Sequence, residues 1–329
     1  MVRCAYYRQF HLRAIFLGLV CLCLLSACSS TSPNCRDQLS LEWAQPTSIA
    51  KDIEVLTSAA FAGRKSGTQG SILSQNYLVD RFQQAGLLPW QGQYRHAFEF
   101  EYQFRSRNGT NIIGYIPAQE ANAPWRLVIA HYDHLGQKGS RYYPGADDNA
   151  SGVAAMLQLA QRFHHQSQQS RSKVNLLFVA IDAEELGLFG SKALVKQLSI
   201  PIKNQIQLVL NLDMIGNPGR RYRLYVEGAR NFSQFDLIKT QISNGNGLCI
   251  RNGQPNPVGT SAIRTNWLQA SDHYAFHLAG IPWLYFGVPA HNHYHQTSDT
   301  LATLDIYFLA GVTEASFKVL SLPDHLLLN

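Results

Sequence analysis

Four short apolar runs, Leu127–Ala130, Val174–Ile181, Gln207–Leu212 and Ile281–Val288, recur along this chain of 329 residues, and stretches of helical character separate them. Successive side chains of a strand point to opposite sides of its sheet, so a strand that is apolar throughout must be covered on both faces. One separating stretch, Gly152–Phe163, sets Val153, Met156, Leu157, Ala160 and Phe163 along one helical face. The pattern predicts an α/β fold: a mostly parallel, twisted central sheet with helices on both faces. The chain is 46% hydrophobic and 15% charged, with a mean hydropathy of -0.14. That composition excludes a disordered chain and a polytopic membrane protein.

Chemistry-bearing residues follow each run. His131-Tyr132-Asp133-His134 comes after the first and Asp182-Ala183-Glu184-Glu185 after the second. Asp213 ends the third, and His291, His293 and His295 follow the fourth. The acidic pair Asp147-Asp148 lies just before the Gly152 helix. Ligands of open α/β sheets bind outside the carboxyl ends of the strands, so five segments bring imidazole and carboxylate groups to one edge. Imidazole and carboxylate without thiolate suit zinc, manganese or iron. The carboxylates outnumber what a single tetrahedral ion takes. One of them shared between two ions about 3.5–4 Å apart would use them economically, and paired ions clamp hydrolytic transition states. The pair Glu184-Glu185 fits a division of labour in which one carboxylate binds metal and the other moves protons. Each element alone has a plainer account, Asp147-Asp148-Asn149 as a helix cap and Glu184-Glu185 as a solvated first turn. Their combination on one sheet edge outweighs those accounts. His96, His273, His277 and His325 are read as structural.

At these residues the sequence resembles the co-catalytic zinc aminopeptidases of metallopeptidase family twenty-eight, clan MH, whose fold is shared with glutaminyl cyclases. The resemblance runs from about Ser48 to the C-terminal helix. It is carried by Gly63-Arg64 with Gly67-Thr68-Gln69-Gly70, His131-Tyr132-Asp133, the Gly145–Gly152 segment, Glu184-Glu185-Leu186-Gly187, Leu212-Asp213-Met214 and His295-Gln296-Thr297-Ser298-Asp299. It implies a zinc-dependent aminopeptidase acting on peptide or protein N-termini, with two zinc ions per chain. His131 and Asp213 would bind one ion, Glu185 and His295 the other, and Asp148 would bridge them. Glu184 would be the general base, and Asp133 would sit behind His131 and fix its ring. The resemblance further implies a cis peptide after Asp148. The first alternative is a glutaminyl cyclase on the same fold, although Asp147-Asp148-Asn149 looks more like the peptidase branch. The second is an inactive binding lipoprotein, against which every expected ligand is present. Where some relatives carry a short-range disulfide before Ser271-Asp272-His273, this chain has no cysteine pair. Trp267, Tyr285 and Phe286 are candidates for lining the specificity pocket.

The amino end has a basic stretch with Arg3, Arg8 and Arg13, then an apolar run from Ala14 to Ala27. That run is shorter than the roughly 20 residues needed to cross a bilayer and suits a cleaved signal. Leu25-Ser26-Ala27-Cys28 resembles a bacterial lipobox, which implies residues 1–27 as a lipoprotein signal peptide and Cys28 as an acylated anchor to a lipid bilayer of the cell envelope. An ordinary secretory signal is the plainer alternative. Residues 28–40 read as a polar tether and 41–329 as a single catalytic domain facing the periplasm or exterior. Losing three arginines with the signal lowers the formal charge from +6 to +3, so the basic balance does not point to a nucleic-acid partner. Cys35 and Cys249 leave room for one intramolecular disulfide. Helices are expected at Ser48–Ser58 and Ser71–Ala85, strands at Phe98–Arg105 and Asn111–Ile116 around a turn at Asn108-Gly109, and an irregular loop at Ser243–Ser261.

Overall fold

A computed structural model describes residues 34–244, 246–254 and 266–327. The expected signal peptide, Cys28, the first part of the tether and residues 255–261 of the expected loop lie outside the described residues. The strands, in chain order, are β1 (Leu88–Pro89), β2 (Arg95–Tyr102), β3 (Arg105–Ile116), β4 (Trp125–His131), β5 (Gln137–Lys138), β6 (Arg141–Tyr142), β7 (Asn175–Ile181), β8 (Ile206–Leu212), β9 (Leu224–Glu227), β10 (Ile250–Asn252) and β11 (Trp283–Gly287). All four apolar runs become strands, and they lie together. The nine-stranded sheet has the order β1-β3-β7-β4-β8-β11-β9-β10, with β2 paired to β3. Its four central strands, β7, β4, β8 and β11, are mutually parallel, and both flanks turn antiparallel where β3 meets β7 and β9 meets β11.

Both faces of the centre are covered, which is why those runs carry no polar alternation. On one side Leu127, Ile129, Leu177 and Val179 pack with Leu194 and Phe276, from the helices Phe189–Gln197 and His273–Leu278. On the other, Phe178 meets the ring of Phe163 at 6.5 Å. Phe163 belongs to the helix Gly152–Gln169, which packs with the helices Pro46–Leu56 and Ile306–Leu320. Buried Glu314 fastens the chain's entry into this layer. Its Oε1 accepts the backbone N–H groups of Glu42, Trp43 and Ala44 at 2.7, 2.6 and 2.9 Å. The chain divides into a unit ending at Gln38 and a unit from Leu39 onward. Cys35 and Cys249 are both disulfide-bonded. No helix among the described residues is long and apolar enough to cross a membrane.

The β2–β3 hairpin departs from its expected layout. Its turn is Gln103-Phe104, both with positive φ (52° and 60°), and Asn108-Gly109 lies inside β3. Two positive-φ residues make the primed two-residue turn that matches strand twist. Gly109 serves the neighbouring strand instead: a Cβ there would lie 2.4 Å from Phe98 Cζ, so the glycine leaves room for that ring. The expected helices begin two residues early, at Pro46 and Gln69.

Candidate metal centre

The segments carrying His131, Glu185, Asp213 and His295 leave the carboxyl ends of central strands, and the one carrying Asp148 precedes the Gly152–Gln169 helix. His131 is the last residue of β4. Its Nδ1 lies 3.1 Å from the backbone carbonyl of Asp133 and 3.8 Å from Asp133 Oδ1. The ring is therefore fixed by the Asp133 main chain, and the carboxylate expected behind it does a further job. Asp133 Oδ1 accepts the N–H of Glu184 at 3.0 Å and Oδ2 that of Glu185 at 3.3 Å. One side chain thus ties the turn after β7 to the end of β4. Ala183, Met214 and His295, at or next to ligand positions, all have positive φ (56°, 54° and 56°). Such conformations cost energy in a non-glycine residue and gather where surroundings over-determine them.

Asp148 sits in an irregular turn before the Gly152–Gln169 helix, and its peptide bond to Asn149 is cis. Asp299, at the end of the His295 loop, accepts the N–H groups of Asp147 (3.0 Å) and Asp148 (3.2 Å). Asp147 accepts Gly216 N–H at 2.6 Å through Oδ1, and its Oδ2 lies 2.9 Å from His291 Nε2. Arg64 is fully buried and donates to four carbonyls, those of Leu56, Tyr132, Pro144 and Gly145, at 2.5–2.9 Å. It binds the turn after His131 to the approach to Asp148. Burial without a paired carboxylate lowers its pKa to about 10.

The side chains so placed form two groups that share Asp148. His131 Nε2 is 3.3 Å from both Asp148 Oδ1 and Asp213 Oδ1. His295 Nε2 is 3.1 Å from Asp148 Oδ2 and 3.3 Å from Glu185 Oε2. Two donors bound 2.0–2.1 Å from a tetrahedral zinc stand about 3.3 Å apart, so these spacings fit an ion in each group. Burial raises the pKa of the Asp148 carboxyl, but the facing imidazoles of His134, His131 and His295 outweigh it and hold the group well below the usual range. His295, against burial, is pushed up to about 10 by Asp148 and Glu185. Glu184 makes no side-chain hydrogen bond among the described residues; burial, with Asp272, Asp213 and Glu185 nearby, pushes it well up against the pull of His131.

The sequence reading assigned no role to His134, three residues after His131. His134 is buried, and its Nδ1 lies 2.8 Å from Glu185 Oε1. With Asp148 and Glu185 it makes a second potential metal-binding group beside that of His131, Asp148 and Asp213. Oε1 of Glu185 is engaged by His134 while Oε2 faces His295, which casts His134 as the residue that orients Glu185. The proposed pocket residues behave differently. Tyr285 and Phe286 are buried in β11, a strand covered on both faces, and Trp267 packs against the same core. Tyr285 stacks on His273 at 4.9 Å.

The family model for peptidase family M28 matches residues 111–320. This chain belongs to peptidase family M28. Every ligand-bearing turn of the M28 chain lies within that match. Among curated relatives it is 30% identical over 201 residues to the probable lipoprotein aminopeptidase LpqL of Mycobacterium tuberculosis, covering 54% of this chain and 38% of that protein. The chain spans under half the length of the first curated relatives it matches. Its fold matches BSAP, a zinc aminopeptidase from Bacillus subtilis, with a TM-score of 0.65 at 17% identity over 85% of this chain and 95% of that one. It matches Porphyromonas gingivalis glutaminyl cyclase with a TM-score of 0.66 at 19% identity, over 84% and 98% of the two chains.

Proposed function

We propose that this M28 peptidase is a two-zinc aminopeptidase that removes the first residue from peptides. The observation that carries the reading is the position of Asp148, one carboxylate oxygen facing His131 and Asp213's group and the other facing Glu185 and His295. His131 and Asp213 would hold one ion, Glu185 and His295 the second, and Asp148 would serve both. Bound there, the ions would lower the pKa of water and polarise the scissile carbonyl.

The chain's own groups supply the rest. The unengaged carboxylate of Glu184 takes the proton from the attacking water and delivers it to the departing amine. Asp133 keeps Glu184 and Glu185 in register by holding both of their N–H groups. His134 holds one oxygen of Glu185, and the other, facing His295, would be the one offered to an ion. Cys28 is proposed as an acylated anchor that keeps the catalytic domain, from residue 41 onward, at the cell envelope.

Glu184→Gln should lower kcat by about 10³-fold while the zinc content by mass spectrometry stays that of the parent; retained turnover would remove Glu184 as the base. The activity itself is tested on the detergent-extracted full-length protein with peptides beginning in leucine or glutamine. Release of the first residue from the leucine peptide supports the aminopeptidase. Loss of ammonia from the glutamine peptide alone makes the chain a cyclase, the activity of its other fold neighbour.

A further inference from the structure

The β2–β3 hairpin does not stop where the sheet does. β3 pairs with β7 only from Ile112, opposite Ala180, to Ile116. Residues 105–110 and their β2 partners run on past the carboxyl end of β7, the edge that carries Glu184 and Glu185. At about 3.3 Å per residue that is roughly 20 Å of overhang. The root of this finger is fixed in the ligand turns: Thr110 N–H donates to Asp182 Oδ2 at 2.9 Å, and Tyr132 Oη donates to the Thr110 carbonyl at 2.9 Å.

The two faces of the finger differ in charge. Directly opposed residues of an antiparallel pair share a face. Tyr102 pairs with Arg105 and Phe100 with Arg107, whereas Glu101 pairs with Ser106 and Glu99 with Asn108. All the carboxylates of the overhang are thus on one face, and aromatic rings with arginines are on the other. The aromatic face is the one that leans on the turn after Glu185. Phe100 stacks on Phe189 at 4.4 Å, with Ala183 and Leu186 in the same cluster. Lys192 lies over the other side of this ledge, 5.5 Å from the Phe189 ring, and donates to the Gly187 carbonyl at 2.8 Å. Arg107 lies 5.6 Å over Tyr102. Among the described residues Arg105, Arg107 and Lys192 are exposed, and no carboxylate pairs with any of them. The Lys192 charge also reaches buried Asp272, a neighbour of Glu184.

We propose that this ledge, with Arg105, Arg107 and Lys192 set on Phe100, Tyr102 and Phe189 beside the glutamate turn, receives the part of a peptide downstream of the cleaved bond and selects chains with carboxylates there. The inference rests on the aminopeptidase reading for its direction along the substrate. Arg107 and Lys192, held on aromatic faces, keep their charge at the surface while their side chains are ordered, so acidic side chains three or four residues from the amino end meet fixed partners, with Arg105 beside them.

The test uses the zinc-loaded full-length protein and two leucine peptides, one with aspartates and one with lysines at the third and fourth positions. Leucine aminomethylcoumarin, which has no downstream residues, sets the baseline. The acidic peptide is expected to exceed the basic one in kcat/KM by about tenfold, and the ratio should fall towards one in high salt. In Arg105→Glu/Arg107→Glu the preference should reverse with the coumarin rate unchanged. The same peptides labelled with a fluorophore are titrated into the Glu184→Gln variant, which reads binding without turnover. Equal kcat/KM and equal binding of the two peptides, with coumarin still cleaved, would overturn the ledge and leave the aminopeptidase standing. Preferential binding of the acidic peptide with no cleavage of any substrate would support the ledge and sink the aminopeptidase. If Phe104→Asp abolishes adsorption to anionic vesicles while the peptides bind equally, the finger serves a membrane and the proposal fails.

Discussion

Asp148 separates two halves of one centre that meet water very differently. The side chains of His131 and Asp213 are 1% and 8% exposed and that of Glu185 9%, while that of His295 is 36% exposed, so the difference rests on His295. His131 ends a central strand and is pinned through Nδ1 to a main-chain carbonyl. His295 sits on a loop with a positive φ, covered chiefly by the ring of Tyr294 at 3.9 Å. The first half is an extension of the core and the second is built onto its rim. The difference teaches that one carboxylate can stand between residues placed by packing and a residue placed by a loop.

The largest effect is expected where the halves meet. Asp148→Asn should cost zinc from both and lower kcat/KM by more than about 10³-fold; loss of a single ion would show that Asp148 is not shared. Next comes the order of metal loss. Chelator should strip zinc in two phases, the faster belonging to the exposed half, and His295→Ala should abolish the fast phase while keeping one ion. A single phase, followed by metal analysis in time, would break the comparison. His134→Ala should weaken metal affinity about 10–100-fold in the Glu185 half alone, because it frees the second oxygen of Glu185. Competition with a zinc-sensing dye reads that shift.

The smallest effect marks the limit of the comparison, at an imidazole that faces no carboxylate. Burial holds His273 down to about 4. Asn211 lies 3.3 Å from its Nδ1, and its Nε2 donates to the Trp267 carbonyl at 2.9 Å. The folded ring stays neutral while the unfolded one takes up a proton. Its contribution is whole above about pH 6.5 and declines as pH falls towards 4, by on the order of 3 kcal/mol at most. Urea midpoints of His273→Gln should therefore fall less between pH 6.5 and 5 than those of the parent.

The sheet edge was legible because His131, Glu185, Asp213 and His295 follow apolar runs, and with Asp148, which precedes a helix, they do converge. His134 was not, since nothing in its local sequence shows that its ring reaches Glu185, 51 residues away. Arg64 stood in a motif, but four carbonyls from three separate segments leave no pattern in a sequence. The hairpin turn was misread because Asn108-Gly109 is the stronger turn signal, and its glycine answers to a ring across the strand pair. Phe286 is buried in the core of the sheet, whereas buried Tyr285 feels the carboxylates of Asp213, Asp148 and Glu184, a proximity that its place in an apolar run did not show. β9 and β10, at four and three residues, are too short for periodicity to register.

Arg64 has a consequence for how the loops around Asp148 are held. Because one guanidinium gathers the turn after His131 and the approach to Asp148, the fold itself holds those two loops together. Part of the conformational entropy of those loops is thus offset by one side chain's hydrogen bonds, made to main-chain carbonyls and not to the carboxylates and imidazoles that the loops present.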